Sequence, residues 1–140
     1  MQLPRSIHPE IDRFGRSSGT GRRKTSVARV WVYPGSGQIS VNSKNWTDYF
    51  QPSQRLEILL PFLFADRAGD FDVWCTVKGG GMSGQAGAVR LGISRAMQAF
   101  GPEIRSALKP PGMLTRDSRR VERKKPGQKK ARKKFQWVKR

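Results

Sequence analysis

The sequence predicts an α+β fold in which a small sheet carries its helices on one face. Two segments, 26–33 and 71–78, alternate apolar and polar residues with a period of two, which is typical of half-buried strands. Two others, 53–63 and 86–100, carry their apolar residues on a helical stripe. Because 140 residues allow one compact domain, strands and helices are expected to share a single core.

The first strand segment, 26–33, is followed by turn-forming residues at 34–37 and by a second alternating segment at 38–42. A strand, a Pro- and Gly-containing turn and another strand in succession predict a β-hairpin. A third strand is expected over 71–78. Cys75 lies on the apolar face of that strand, so we interpret it as a small core residue rather than a reactive thiol.

The helices are expected after the predicted hairpin and after the third strand. The first opens at Ser53, and Pro61 is expected to kink or end it near Leu60, because proline lacks the backbone donor. The second is expected over about 86–100, and a short third helix ends near Leu108. The order strand, strand, helix, strand, helix predicts a sheet with helices on one face.

Charge divides the chain into three parts. The net charge is +18, and the segment 116–140 carries 13 of the 28 basic residues and only two acidic ones. We predict an extended N-terminal arm over 1–24, a globular domain over 25–113 and a basic tail over 114–140. Alone, the tail cannot bury enough apolar surface to order itself. A polyanionic partner is therefore expected.

Several function classes are disfavoured by composition. Cys75 is the only cysteine and His8 the only histidine, so a Cys/His zinc cluster and a histidine-based hydrolase site are not expected. No run of about eighteen apolar residues indicates a membrane span. The N-terminus shows neither a signal core nor a clear transit peptide. We expect a protein that is not an enzyme and that uses no cofactor or metal.

A glycine-rich segment, 79–85, joins the third strand to the following helix. Bare backbone N–H groups at a helix N-terminus attract phosphate. Gly79 and Gly84 have the spacing of a nucleotide-binding P-loop, but Gln85 and Ala86 stand where that motif needs Lys and Ser or Thr. A nucleotide-using enzyme is therefore disfavoured. Two roles stay open for the glycines: contact with RNA phosphates and close packing of the turn.

The basic tail combines cationic clusters with the aromatic residues Phe135 and Trp137. Cations neutralise phosphates, and aromatic and guanidinium planes stack on unpaired bases. An anionic membrane or a nuclear import receptor are other partners for a basic tail. The membrane interpretation needs a helical apolar face, which Pro126 and Gly127 and the scarcity of aliphatic residues disfavour.

The chain resembles the family of small-subunit ribosomal protein nine, of bacterial and organellar type. The matching stretches are GTGRRKTSVARVWV at 19–32, PGSGQISVN at 34–42, VKGGGMSGQAGAVRLGISRA at 77–96 and LTRDSRRVERKKPGQKKARKKFQWVKR at 114–140. The runs FQWVKR, ERKKPG and CTVKGGG are more similar to plant or green-algal mitochondrial members. The resemblance thus favours a mitochondrial ribosome, with the bacterial cytoplasm or a plastid as the alternative.

The resemblance implies a left-handed βαβ crossover, as in the second domain of ribosomal protein five. It also implies a structural role in translation, in the head of the small subunit, where the domain binds the 3′ major domain of the rRNA beside neighbouring head proteins. The tail of such proteins reaches peptidyl-site tRNA. A nucleic-acid-binding module outside the ribosome is the alternative, and co-sedimentation with small subunits would distinguish the two.

Charge pattern and resemblance together predict the contact residues. The residues expected to bind rRNA are Arg22, Arg23, Lys24, Lys78, Gly79, Gly80, Gly81, Ser83, Gln85, Arg90, Arg116, Arg119, Arg120, Arg123, Lys124, Lys125, Lys129, Lys130, Arg132, Lys133 and Lys134. Arg90 is expected to face outward from its helix. Lys139 and Arg140 are the expected tRNA contacts, and Val138 stands where bacterial relatives usually have serine.

Overall fold

Residues 10–134 and residue 136 are described by the computed structural model of the chain. The strands are β1 (Ser17–Arg23), β2 (Ser26–Pro34), β3 (Ile39–Val41), β4 (Lys44–Asn45) and β5 (Phe71–Lys78). The helices are α1 (Trp46–Tyr49), α2 (Pro52–Phe64), α3 (Met82–Met97) and α4 (Pro102–Leu108), with a 3₁₀ turn at Gln98–Phe100. The predicted α+β class is confirmed.

The five strands form one sheet in the order β1-β2-β5-β3-β4. β2 pairs antiparallel with β1 and with β5, whereas β3 runs parallel to β5. The predicted hairpin between 26–33 and 38–42 is therefore wrong, because β5 lies between these two strands. The hairpin is instead formed by β1 and β2. Alternation identifies a strand from its own residues, but it does not specify which strand lies beside it.

β1 comes from the segment that the sequence assigned to an extended arm, so for residues 17–23 that assignment is corrected. Apart from Thr20, the segment lacks the β-branched and aromatic residues typical of strands, and α3 packs directly onto its backbone. A methyl group at Gly21 would overlap the carbonyl oxygen of Ala88, and one at Gly92 would overlap the Val30 side chain. Glycine at these two positions therefore allows the helix and the strand to lie close together.

Two helix boundaries also differ from the predictions. α2 continues through Pro61 to Phe64, so it does not stop near Leu60, one of the two outcomes that the sequence predicted there. Pro61 lies in the last turn and is buried, and only one helical hydrogen bond is lost there. α3 begins at Met82, four residues earlier than predicted, and Gly84 in its first turn fits closely against Ser26.

The core lies between one face of the sheet and the helices. Val30 of β2 and Cys75 of β5 are fully buried, together with Val89 and Ile93 of α3. The alternate residues of the same strands, such as Trp74, lie on the opposite face and are exposed or half-buried. The prediction of helices on one face is thus confirmed. Burial raises the pKa of the Cys75 thiol to about 12, and this residue is a core residue as predicted.

Candidate nucleic-acid interface

The glycine loop joins β5 to α3 and packs tightly against the turn between β1 and β2. Gly79 and Gly80 adopt φ values of 78° and 63°. A methyl group at Gly80 would overlap the Ser26 hydroxyl. Close packing, one of the two roles left open for these glycines, is therefore present. Gly81 caps α3 without a side-chain hydrogen bond, so no side chain caps the first N–H groups of this helix.

A hydrogen-bond network holds the glycine loop in place. The Gly79 carbonyl accepts from Ser26 Oγ at 2.9 Å and from Gln85 Nε2 at 3.1 Å. Gln85 Oε1 in turn accepts from the Tyr49 hydroxyl at 2.7 Å, and Asn42 Nδ2 donates to that hydroxyl at 3.3 Å. Both ends of the Gln85 amide are thus used inside the protein. Sequence reasoning missed Tyr49 and Asn42, which carry no charge or motif signal.

Two of the predicted RNA-binding arginines share an internal carboxylate. Arg23 Nη1 and Arg90 Nη1 lie 3.2 and 3.3 Å from Glu57 Oε1, and Arg23 Nε lies 3.7 Å from Asp117 Oδ2. The side chains of Arg23 and Arg90 are only 16% and 22% exposed. Arg90 therefore does not face outward as predicted, because Glu57 of α2 draws it against the domain. These ion pairs connect β1, α2 and α3 with Asp117, at the start of the predicted tail.

A cleft of about 260 Å³ lies where the β1–β2 turn meets the start of the tail. We call it the cation cleft, and it is lined by Arg23, Lys24, Arg119, Arg120 and Val121. Buried Met113 anchors the chain just before it. Folding thus joins cations from the predicted arm with cations from the predicted tail, which the sequence places far apart.

Asp117 shapes one wall of the cation cleft. Its carboxylate accepts hydrogen bonds from the guanidinium of Arg119, the shortest at 2.7 Å, and also from the Arg119 backbone N–H. These bonds, more than the nearby charge of Arg23, hold the pKa of Asp117 well below its usual range. Asp117 therefore stays ionised and fixes Arg119 at the edge of the cleft.

Arg22 and Lys78 lie on a different surface, the face of the sheet that the helices do not cover. We call this surface the open sheet face. Arg22 is paired with Val27, and Val27 is paired with Lys78, so the three residues form one cross-strand row. Both cations are exposed and border the glycine loop through Gly79. The predicted contact residues are thus divided between two surfaces.

The described part of the tail folds back on itself. Glu122 pairs with Arg132 at 2.8 Å and with Lys125, and both bonds lower the pKa of Glu122. A β-bridge joins Gln128 to Lys134. The other predicted cations of this segment are exposed, namely Arg116, Arg123, Lys124, Lys129, Lys130 and Lys133. Lys139, Arg140, Phe135 and Trp137 lie outside the described residues.

Residues 10–134 and residue 136 contain neither a candidate membrane span nor a candidate metal site. No helix in these ranges has the length and apolar character needed to cross a bilayer. The same residues include no group of three or more His, Cys, Asp or Glu side chains placed to hold a metal ion.

The fold and the cation cleft together define a class, the small basic α+β proteins with clustered surface cations. Residues 21–140 match the family model described as ribosomal protein S9/S16, and the chain belongs to this family. The chain is similar to the small ribosomal subunit protein uS9m of Arabidopsis thaliana, with 54% identity over 132 residues, or 94% of this chain. It spans about a third of that relative, 31% of its length. The predicted family resemblance is confirmed.

Proposed function

We propose that this chain is a structural, non-catalytic constituent of the small ribosomal subunit that binds rRNA through the cation cleft. The observation that carries the proposal is the convergence of Lys24, Arg119 and Arg120 on one cleft. Family membership and the similarity to a mitochondrial relative support it. The partners are the 3′ major domain of the rRNA and neighbouring proteins of the subunit head, and the location is the mitochondrial ribosome.

The cleft suits phosphates rather than base edges. Lys24 and Arg120 are exposed at its rim, whereas Arg23 is ion-paired and supports the wall. Cations that neutralise phosphates release condensed counterions, and this release drives sequence-independent binding. The uncapped N-terminus of α3, beside Gly81 and exposed Ser83, adds backbone donors for a phosphate of the same strand. The cleft would thus position the protein on folded RNA.

The tail extends this contact in the proposed function. Residues 114–140 form the tail, and the globular body comprises 25–113 together with β1. The parallel strands β3 and β5, with α1 and α2 between them in the chain, form the crossover that we take to be left-handed. The exposed cations of the tail would neutralise rRNA phosphates along its path. Lys139 and Arg140 would then reach peptidyl-site tRNA.

The rRNA role is tested by removing two cations from the cleft. The double variant Arg119→Gln, Arg120→Gln should lower the slope of log affinity against log salt by about two for an rRNA 3′-major-domain fragment, since two phosphate contacts are lost. The matched control, Arg67→Gln with Arg105→Gln, removes the same charge from α4 and the segment before β5. Equal slopes for the two double variants would contradict binding in the cleft.

The tail-tip role needs a separate test. Deleting residues 138–140 should leave assembly of the chain into small subunits intact but speed dissociation of peptidyl-site tRNA. Two cations are removed by this deletion, Lys139 and Arg140. The control variant Lys129→Gln, Lys130→Gln removes the same charge from the middle of the tail. An unchanged tRNA dissociation rate after the deletion would show that the tip does not contact tRNA.

A further inference from the structure

The open sheet face carries a cluster of aromatic side chains that the cation cleft does not use. Trp31 of β2 and Trp74 of β5 are direct cross-strand partners, with ring centroids 5.1 Å apart and planes tilted by 55°. Trp74 is 40% exposed. Tyr33 follows on β2, and Phe14, which precedes β1, is 65% exposed. Large aromatic rings on a surface that no element within the described residues covers are typical of a binding site.

These rings line a cleft of about 400 Å³, together with Arg16. Guanidinium groups stack on the same rings. Arg29 lies 4.7 Å from the centroid of the Trp31 ring, and Arg16 lies 5.0 Å from that of Phe14. Flat π surfaces alternate with flat cations here, which is the composition that proteins use to stack unpaired bases and to neutralise the phosphates beside them.

The carboxylates of this region are already bound within the protein. Asp12 pairs with Arg16 at 3.1 Å, and Asp72 accepts hydrogen bonds from the backbone N–H groups of Gly37 and Gln38, each at 2.9 Å. Arg29, by contrast, is exposed. The face therefore presents cations rather than free anions to an incoming strand. Because a nucleic acid is negatively charged, this charge complementarity favours a nucleic-acid strand over an apolar helix of a partner protein as the occupant.

A second exposed apolar surface, on α2, differs from the open sheet face in the type of its side chains. On α2 the exposed side chains Leu56 and Leu63 are aliphatic, and they are 64% and 59% exposed. Aliphatic stripes of this kind match the apolar face of another protein. On the open sheet face the large apolar residues around the cleft are aromatic, and the rings of Trp74 and Phe14 are exposed. The two surfaces thus differ in the chemistry that they can recognise.

The position of the aromatic cleft also fits a nucleic-acid strand. The rows of the open sheet face run from Trp31 and Trp74, through Arg29, to the row of Arg22 and Lys78. That last row borders the glycine loop, and Arg22 is adjacent in sequence to Arg23 of the cation cleft. A strand that stacks on the rings would therefore bring its following phosphates toward exposed cations.

We propose that the open sheet face is a second RNA site, which binds unpaired nucleotides by stacking their bases on Trp74 and the other rings of this cleft, with Arg29 beside their phosphates. The site rests on the proposed function, since it adds a single-stranded RNA element to the folded RNA that the cation cleft binds. Bases within a duplex are already stacked on both sides, so this face discriminates against duplex RNA.

The test compares two RNA probes on the full chain. Trp74→Leu should weaken binding of a single-stranded oligoadenylate at least fivefold, roughly the loss of one stacked base, and leave binding of a duplex of the same length within about twofold. Phe64→Leu is the matched control, because it removes an exposed ring from α2, on the helical side of the sheet. Fluorescence anisotropy of labelled RNA measures both affinities.

Trp74→Phe keeps a ring and should retain binding within about threefold of the original chain. If Trp74→Leu fails to fold, Tyr33→Leu replaces it, with the same expectation. An unchanged affinity for oligoadenylate, or an equal loss for both probes, would overturn the second site and leave a protein neighbour as occupant of the face. The cleft variant Arg119→Gln, Arg120→Gln separates the two proposals, because it should lower affinity for the rRNA fragment while the loss of oligoadenylate binding on Trp74→Leu stays the same.

Discussion

The cation cleft and the open sheet face lie on the same small domain but use different chemistry. Four of the five residues lining the cleft are cations, yet Arg23 is held by Glu57 and Asp117 and is only 16% exposed. On the open sheet face, Arg29 stacks on Trp31 and stays exposed. The comparison shows that the number of cations in a sequence overstates the charge available to a partner, because some of that charge stabilises the fold.

β1 supplies both surfaces with adjacent residues. Arg22 lies on the open sheet face, whereas Arg23 points to the helical side, where its side chain contacts the surface of α3 near Gly87. Consecutive strand residues point to opposite faces, so two neighbouring arginines enter two different sites. A change that displaces β1 should therefore damage both surfaces at once.

The largest expected effect comes from Gly21→Val, which breaks both surfaces together. Its side chain would overlap the Ala88 carbonyl, so α3 must move away from β1. We expect the free energy of unfolding in urea to fall by about 3 kcal/mol or more. Thr20→Val, on the exposed face of the same strand, is the control and should change it by less than about 0.5 kcal/mol. Similar losses for the two variants would contradict the close helix–strand packing.

Glu57→Gln should separate the structural role of Arg23 from binding. Neutralising the shared carboxylate removes the counter-charge of the largely buried Arg90 and leaves Arg23 only the longer contact with Asp117, so we expect a loss of about 2 kcal/mol in urea unfolding. Affinity for an rRNA fragment should not fall, since no cation is removed. Glu103→Gln is the control, because its pair with Arg67 is exposed and contributes little. A parallel loss of affinity would show that Glu57 organises the RNA site itself.

A smaller effect is expected for Arg29→Gln on the open sheet face. Losing the contact with Trp31 should cost less than about 1 kcal/mol of stability and weaken oligoadenylate binding about threefold. Duplex affinity should stay the same within error of an anisotropy titration. Arg67→Gln, which removes an equal charge elsewhere, provides the comparison. If it weakens oligoadenylate binding as much, the effect of Arg29 is one of net charge alone.

The smallest effect concerns protonation at the cation cleft. Because the pKa of Asp117 is lowered in the folded chain, the stabilising contact with Arg119 is fully present above about pH 4, the ordinary range of this group, and is lost only as the pH falls below it toward the lowered pKa. The carboxyl carbon of Asp117, followed by NMR, should titrate well below 3.8 and return toward that value in Arg119→Gln. Identical midpoints in both proteins would exclude the hydrogen bonds as the cause.

Much of the secondary structure follows from local patterns. The alternation over 26–33 and 71–78 correctly predicts β2 and β5, and Cys75 is correctly placed in the core. β1 was missed because its glycines serve a contact with α3 that no local pattern contains. The predicted hairpin has the wrong strands for the same reason, since β5, which begins only at Phe71, enters the sheet between β2 and β3.

The candidate site was predictable only as a list of cations. Sequence alone marks Lys24, Arg119 and Arg120 as basic. Their convergence depends on how the first residues of the tail pack beside the β1–β2 turn. The aromatic cluster was not predicted at all. Trp31 and Trp74 are far apart in sequence, and each taken alone looks like an ordinary strand residue.

The amino-acid sequence by itself determined the α+β class, the position of most elements and the excess of positive charge in the last 25 residues. These properties depend on residue type and short-range periodicity, which are visible within a few residues. Tertiary structure alone decided the strand order, the pairing of Arg23 and Arg90 with Glu57, and the division of the contact residues between two faces. Each of these depends on which distant segments become neighbours, and the packing of the whole core sets that choice.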